Sequence, residues 1–518
     1  MHRFILTLLL FAGFAQMATA QREFANIDLP MRRAEDLVSV ADEKSGNVCV
    51  YFFQSSRLYF NLISPSGQLI ASQEIPYRWS EQPQIMGTRV TDDEFIFYSR
   101  FVNGRREFVR PFAVNRLDGK FRTLPDMELK KDKGEYFMGG FADADYFYML
   151  YADKKENLHL YRDDQEARMT KKTFSPKLPR TRDRYDRERD LIFVHPNLER
   201  TVIAGHHRSK IYTRGDKILM VFDGFRLKGQ GDKATTEILT LDWNTGQTNY
   251  RNLPAIEQNG DPEFNSFLHQ NTLFRLQLDK DKLNLTAYDF ATLQPVKTYN
   301  FSGDEEITIK STPVHQRGAK ALFSSESKVI EKTSKVMKNL AGGIPAITVD
   351  AFSDSTIQLT IGSYQPPRSN DRSQDPSRMV RTPDRYVYTP RGTMLIPGRW
   401  VPAYYVPNYY LDSPYYSRYF YDPYGRGSNL PTGPGISTYF RSVLNTNNLA
   451  KVDSANASVI LQDKVESFEE ELKNKPEYAT MYRYGDKLHY GYYDRKTKTF
   501  RIVEFAQNQR QPEAEQQQ

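Results

Sequence analysis

The sequence predicts an all-β chain, a β-propeller of six to eight blades, and three observations carry the prediction. The first is local grammar. Residues 215–253 read as a tight turn, an apolar strand at 218–222, a second at 236–241, a turn at 242–246 containing Gly246, and a third strand. The second is recurrence. Turns at Gly67, Gly119 and near Asp164 follow one another at 52 and about 45 residues, and another falls near Thr292, about 45 residues beyond Gly246. The third is an echo between distant parts of the chain, where Gly485, Asp486 and Lys487 repeat Gly215, Asp216 and Lys217. A period near 45 residues holding three or four short strands is what a propeller blade needs. Each small sheet cannot bury both faces alone and must stack on its neighbours.

Each unit follows from the same reading. The first has strands at 47–53 and 58–63, a turn ending at Gly67 and a strand at 68–75. The second has strands at 94–101 and 107–115, then a turn ending at Gly119. The third has strands at 146–151 and 157–161. The wider step to Gly246 reflects an inserted stretch at 177–210, after which strands at 272–278 and 283–288 make another unit. Strands near 319–323 and 356–361 bracket an ambiguous segment at 329–340, and further strands fall at 436–444 and 458–461. Val465, Phe468 and Leu472 are spaced as the apolar face of one short amphipathic helix. Strands at 480–484, 487–493 and 499–505 close the chain, and the C-terminal repeat is expected to complete its blade with N-terminal residues. The domain reading is a signal peptide at 1–20, blades over 21–364, an insertion at 365–435, final blades over 436–506 and a polar, disordered tail at 507–518.

Over roughly residues 37–310 and 436–506 this pattern resembles the exported β-propeller repeat proteins of bacterial envelopes. The resemblance implies a fold and brings no catalytic residues with it. The tryptophan–aspartate repeat signature is not met: Asp242 and Trp243 reverse the dipeptide, and Gly205 with His206 occurs once.

The N-terminus predicts export. His2 and Arg3 precede an apolar run at 4–14, and Ala18 and Ala20 give the small-x-small pattern before a cut at Gln21. That run is shorter than the roughly 20 residues a membrane span requires, and no later run approaches that length. Without the Arg3 charge the formal net charge falls from +7 to +6. Cys49 is the only cysteine, so no internal disulfide can form; it lies in an apolar strand, where it packs as a small hydrophobe. An exported chain with no disulfide favours a bacterial periplasm, cell surface or medium. The weak net charge and the alternating charges of 180–190 argue against nucleic acid as a partner.

The most unusual stretch is 365–435. Its first half carries Arg368, Arg372, Arg378, Arg381, Arg385, Arg391 and Arg399 against Asp371, Asp375 and Asp384, a local charge of +4. Its second half holds Trp400 and nine tyrosines between 404 and 424, interrupted by Pro402, Pro407, Pro414 and Pro423. Candidate binding residues are Arg391, Arg399, Trp400, Tyr404, Tyr405, Tyr409, Tyr410, Tyr415 and Tyr416. Flat aromatic rings stack on sugars and partner side chains, while Arg pairs bidentately with carboxylate, sulfate or phosphate. The structural alternative is that the aromatics fold back over a propeller face and the Arg-rich half is a solvated loop.

Other polar groups are weaker candidates. Asp92, Asp93 and Glu94, Asp143 with Asp145, Asp279 with Asp281, and Glu305 with Glu306 all sit at strand ends, where Asp shapes turns. His206 and His207 are adjacent, which on a strand sends them to opposite faces, and His195 is near in sequence. No nucleophile motif, phosphate loop or dinucleotide fingerprint occurs. The expectation is an exported, non-catalytic binding or scaffolding module of the cell envelope that recognises an anionic glycan or an envelope protein, without metal or cofactor. The alternative is a glycan-active hydrolase or lyase with carboxylates on one propeller face.

Overall fold

The structure is a computed structural model. It describes residues 21–506 apart from 30–35, 43, 55–56, 77–83, 104–105, 156, 165–167, 177–190, 195–201, 224–235, 254–262, 304, 318–327, 331, 354, 366–378, 382–384, 390–391, 397–399, 403–435, 453–463, 466–467, 469–470, 473–476, 485–486 and 495. The predicted signal peptide, the tail at 507–518 and the strands near 319–323 and 458–461 lie outside the described residues.

The fold is a β-propeller. Seven blade sheets of four or five strands follow one another among the described residues, within the predicted range. The chain divides into two compact units, Met1–Asp126 with Val459–Gln518, and Met127–Ser458. Blades are numbered here in chain order. In the first unit, blade 1 holds Asp36–Ala41, Val48–Gln54, Arg57–Ile63 and Leu69–Pro76. Blade 2 holds Gln84–Val90, Glu94–Asn103, Arg106–Asn115 and Phe121–Thr123. Blade 7 holds Glu477–Tyr484, Lys487–Asp494 and Thr499–Phe505, completed by the N-terminal strand Gln21–Asp28 in antiparallel register, Asp28 opposite Thr499. The expected meeting of the chain's ends in one blade is therefore observed.

In the second unit, blade 3 holds Tyr136–Ala142, Phe147–Ala152, Leu158–Asp163 and Met169–Phe174. Blade 4 holds Ser209–Arg214, Lys217–Asp223, Thr236–Asp242 and Thr248–Leu253, with Leu191–Phe193 added in parallel beside the first. Blade 5 holds Glu263–His269, Thr272–Leu278, Lys282–Asp289 and Pro295–Ser302. Blade 6 is built out of order. Ile344–Ser353, Thr356–Gln365 and Ile436–Asn445 are its first three strands, and Val314–Arg317 and Lys328–Ile330 supply its outer edge. The ambiguous segment at 329–340 resolves into the end of that edge strand and a helix, Thr333–Leu340, which buries Val336, Met337 and Leu340.

Burial follows position in the blade. All six residues of Phe147–Ala152 are buried, as expected of a middle strand in the sheet. Fourth strands such as Thr248–Leu253 are mostly half-exposed or exposed and correspondingly polar. Stacked blades share cores: Phe141, Leu150 and Leu160 of blade 3 pack with Ile218, Met220 and Leu239 of blade 4. Each such side chain contributes about 1.5–3 kcal/mol by leaving water, so with no disulfide the stacked sheets must supply the stability. Near the C-terminus Val465, Phe468 and Leu472 lie on Leu488, Tyr490 and Phe505 as one apolar face, with residues 464, 465, 468 and 471 helical.

The turn between third and fourth strands is the recurring motif. In blades 2, 4, 5 and 6 an Asn or Asp opens it, and the backbone N–H four residues later returns to that residue's carbonyl: Gly119 to Asn115, Gly246 to Asp242, Leu293 to Asp289 and Leu449 to Asn445. The side-chain oxygen of the opening residue also accepts from backbone N–H groups inside the turn, as Asp242 does from Thr245 and Asp289 from Thr292. The fifth residue has positive φ in every case, 69° at Gly119, 72° at Gly246, 58° at Leu293 and 55° at Leu449. The carboxylates shaping these turns are held below their ordinary range by the hydrogen bonds they accept, Asp242 chiefly from Thr245 and Asp289 chiefly from Thr292.

That turn is also where blades lock together. A side chain on the outer strand of one blade donates to a turn carbonyl of the next: Gln73 to Gly119 at 2.7 Å, Lys172 to Asn244 at 3.2 Å, Arg251 to Ala291 at 2.8 Å, and Tyr299 to Leu449. At the junction of blades 7 and 1 the same place is filled by backbone contact, since a Cβ at Gly67 would run into the Phe24 carbonyl. Residue identity varies while the bond recurs, which hides this repeat from sequence.

Candidate functional site

Antiparallel strands put alternate connections at opposite ends of a blade. The tight turns just described occupy one end. In the second unit the long connections 175–190, 224–235, 254–262, 303–343 and 366–435 leave from the other, and 194–208 crosses back to it. The largest, 366–435, joins the second and third strands of blade 6. Gln365 and Ile436 are directly paired neighbours, and the ladder continues unbroken from there to Thr356 opposite Asn445.

Beside that opening a buried polar network holds a short segment in place. Helix Val202–Gly205 packs on blade 6, with Val202 against Ala346 and Tyr439. Gly205 allows the approach, since a Cβ there would lie 2.9 Å from the Thr348 methyl and 3.0 Å from the Ile347 carbonyl. The next two residues are His206 and His207. The Asn265 amide donates to both of their carbonyls at 3.1 Å, and the Lys210 ammonium donates to the His207 carbonyl and, at 2.9 Å, to Asn265 Oδ1. Lys210 and Asn265 are both fully buried. One strand further, the fully buried Asp223 accepts from Thr236 Oγ1 at 2.8 Å and from the Ser266 N–H and Oγ at 2.6 and 2.7 Å. A buried charge persists only when its hydrogen-bonding capacity is met, and these partners meet it. Burial lowers the pKa of nearby Arg275, while the Tyr288 hydroxyl 2.7 Å away and the Asp223 charge oppose that shift.

The consequence is a fixed row of half-buried rings. His206 and His207 have ring centroids 4.3 Å apart, and His206 lies 4.7 Å from Tyr364, two residues before the 366–435 connection begins. The divergence expected of adjacent histidines on a strand does not arise, because His206 and His207 lie at a helix end and turn and not on a strand. His195 lies outside the described residues. Tyr439 of the third strand has His315 of the outer edge and the buried Arg441 5.9 and 5.4 Å from its ring centre. Among the described residues no three His, Cys, Asp or Glu side chains are gathered to hold a metal ion.

A second polar cluster lies at the corresponding end of blade 3. His159 Nε2 is 3.2 Å from Asp153 Oδ2, and Nδ1 is 3.0 Å from Thr173 Oγ1 and 3.7 Å from Glu135 Oε1. The Glu135 carboxylate is buried, pairs with Lys171 and accepts from the Tyr161 hydroxyl at 2.9 Å. Lys171 also reaches Asp132 at 2.6 Å. Burial works against ionisation of Asp153, but hydrogen bonds from Asn157, His159 and Lys155 hold its pKa at about 2. Lys171 thus pairs with two of these carboxylates, Asp132 and Glu135, while His159 contacts the third, Asp153.

Four of the nine carboxylates singled out in the sequence are seen engaged at strand ends. Glu94 pairs with Arg122 at 2.6 Å, Asp143 accepts from the Asp145 and Tyr146 N–H groups, Asp279 from the Lys280 N–H, and Glu305 from the Ser302 N–H. Of the predicted binding residues, Trp400 opens the short strand Trp400–Pro402, paired with Met379–Arg381, and a hairpin of Arg385–Thr389 with Gly392–Ile396 lies between them. Arg391, Arg399, Tyr404, Tyr405, Tyr409, Tyr410, Tyr415 and Tyr416 lie outside the described residues. Sequence reasoning missed Lys210, Asp223 and Asn265. Their one signal is a polar residue in a strand that also carries large apolar ones, as Asn265 does in Glu263–His269, and sequence does not show which strands a neighbouring blade covers.

No protein-family model and no curated protein matches this chain. Among solved structures it is similar to an uncharacterized protein from Listeria monocytogenes EGD-e, at 12% identity and a TM-score of 0.29 over 53% of this chain and 69% of that one. It is also similar to Synechocystis apocarotenoid oxygenase, at 13% identity and a TM-score of 0.27 over 51% of this chain, and spans 62% of that protein. AztD from Citrobacter koseri aligns at 10% identity and a TM-score of 0.27, over 51% of this chain and 61% of its own. At such scores these likenesses add nothing to what the strands themselves establish.

Proposed function

We propose that this chain is an exported, non-catalytic binding or scaffolding module of the cell envelope, and that its recognition element is the segment 366–435. The observation that carries the reading is the pairing of Gln365 with Ile436. The ends of a 70-residue connection rich in Arg and Tyr are held as ladder neighbours, so blade 6 closes without any of its residues. A segment the fold does not need, rich in groups that stack on sugars and pair with anions, is a recognition element in a fold that supports function through its connections. Arginines and rings together fit an anionic glycan or an acidic envelope protein. Engagement of Glu94, Asp143, Asp279 and Glu305 in turns and an ion pair weighs against the glycan-cleaving alternative for those groups.

The test is a variant in which a short Asn-Gly turn replaces 366–435. The full-length protein is expected to bind an acidic polysaccharide and to ignore a neutral one. The shortened variant is expected to lose that binding and keep its melting temperature within a few degrees. Equal binding by both proteins, or collapse of the shortened one, contradicts the proposal. Release of new reducing ends by the purified protein would move the reading to the hydrolase.

A further inference from the structure

We infer that the N-terminal strand Gln21–Asp28 is an acid-sensitive latch on blade 7, with His489 as its trigger. The strand closes the blade as its outermost member, and its Phe24 stands edge-on to the His489 ring at a centroid distance of 4.9 Å. On the innermost strand Tyr482 lies parallel to the same imidazole, 4.8 Å away and 6° from coplanar orientation. His489 is 1% exposed, and neither of its ring nitrogens makes a hydrogen bond. The imidazole is thus boxed between an inner-strand ring and a ring carried by the removable outer strand.

The charged neighbours are few. On the adjacent strand Glu504 Oε2 is 3.5 Å from Nε2, too far for a good hydrogen bond, and Glu504 is already paired with Lys487 at 2.9 Å. Lys487 belongs to the strand of His489 itself and repels a second cation there. Tyr484 contributes a ring 6.4 Å away, against which Gly46 of blade 1 is packed. On the N-terminal strand the flanking charges are Arg22, opposite Glu504, and Glu23, 3.9 Å from Arg501. The Tyr482 face and the Glu504 charge favour a cationic ring, whereas burial and Lys487 oppose it. Burial is the larger effect and lowers the imidazole pKa.

The sign follows from linkage. The closed latch holds His489 neutral, and lifting the strand returns it to water, where its pKa is about 6.5. The closed state is therefore fully favoured above about pH 6.5 and loses ground as pH falls below it. Between pH 7.5 and 5.0 opening increases by up to about 30-fold, the ratio of protonated to neutral imidazole in water at pH 5.0. Opening would also free blade 1, because the Phe24 carbonyl is the surface against which Gly67 packs.

The experiment is hydrogen exchange of the 21–28 amides in the full-length protein at pH 7.5 and 5.0, corrected for intrinsic rates. Protection is expected to fall in the native protein, by at most about 30-fold, and to be independent of pH in His489→Phe, which keeps a ring in the box. Unchanged protection in the native protein, or the same loss in the variant, overturns the latch. If His489→Phe fails to fold, an NMR titration of the native imidazole decides. A pKa below about 6.5 supports the latch, and one at or above that value overturns it.

Discussion

The Arg162 guanidinium of blade 3 sits 4.4 Å from the centre of the Trp243 ring of blade 4. The Tyr146 ring centre is 3.9 Å from the guanidinium, and Asp216 of blade 4 accepts from it at 2.7 Å. Trp243 occupies the second position of the recurring turn, so one arginine reads both tight turns of the next blade. A planar cation against two rings is a role that lysine does not reproduce. Arg162→Ala is expected to cost about 1–3 kcal/mol and Arg162→Lys more than half of that. Denaturant unfolding checks this, and equal stability of Arg162→Lys and the native protein would contradict it.

The turns allow conformational strain to be separated from crowding. Gly246 has φ of 72° and open space where a Cβ would go, so Gly246→Ala is expected to cost about 1–2 kcal/mol from backbone conformation alone. At Gly67, φ 81°, the added methyl also meets the Phe24 carbonyl, so Gly67→Ala is expected to cost distinctly more. Thermal melts of the two variants check the order.

Removing Asn265 leaves the buried Lys210 ammonium and two carbonyls short of partners. Asn265→Ala is expected to cost about 3–5 kcal/mol, the range for breaking a buried charged network. Lys210→Met, which removes the charge as well, is expected to be milder because no uncompensated ion remains. The reverse order in chemical denaturation would mean that Asn265 does not hold the ammonium.

Asp153 should leave a signature in acid. Its folded pKa of about 2 lies below the ordinary 3.8, so its contribution is present above about pH 3.8 and lost as pH falls through about 2. Asp153→Asn is expected to be less stable than the native protein at pH 6, with the gap closing toward pH 2. A gap that stays constant with pH would show that the carboxylate's charge is not what matters.

The fold was legible because middle strands are buried on both faces and appear as unbroken apolar runs, as at Phe147–Ala152. Outer strands such as Pro295–Ser302 face water on one side and mix with loop composition. Blade 6 was harder, since its outer strand precedes its inner ones and 70 residues part Gln365 from Ile436. Leu293 and Leu449 hold the left-handed position that glycine marks elsewhere, which disguises two turns. The buried network around Lys210 and Asn265 depends on contacts between blades, and no spacing within one strand encodes it.

The central claim is that 366–435 recognises an anionic partner and is not part of the core. The most direct measurement is binding of heparin, used as an anionic polysaccharide probe, to the native protein and to a variant with Arg391, Arg399, Tyr404, Tyr405, Tyr409 and Tyr410 all changed to Ala. The account predicts native binding that weakens as salt screens exposed charges within about 10 Å at 0.1 M. It predicts loss of binding in the variant, with the melting temperature nearly unchanged. Undiminished binding, or a fall of many degrees in melting temperature, would contradict it.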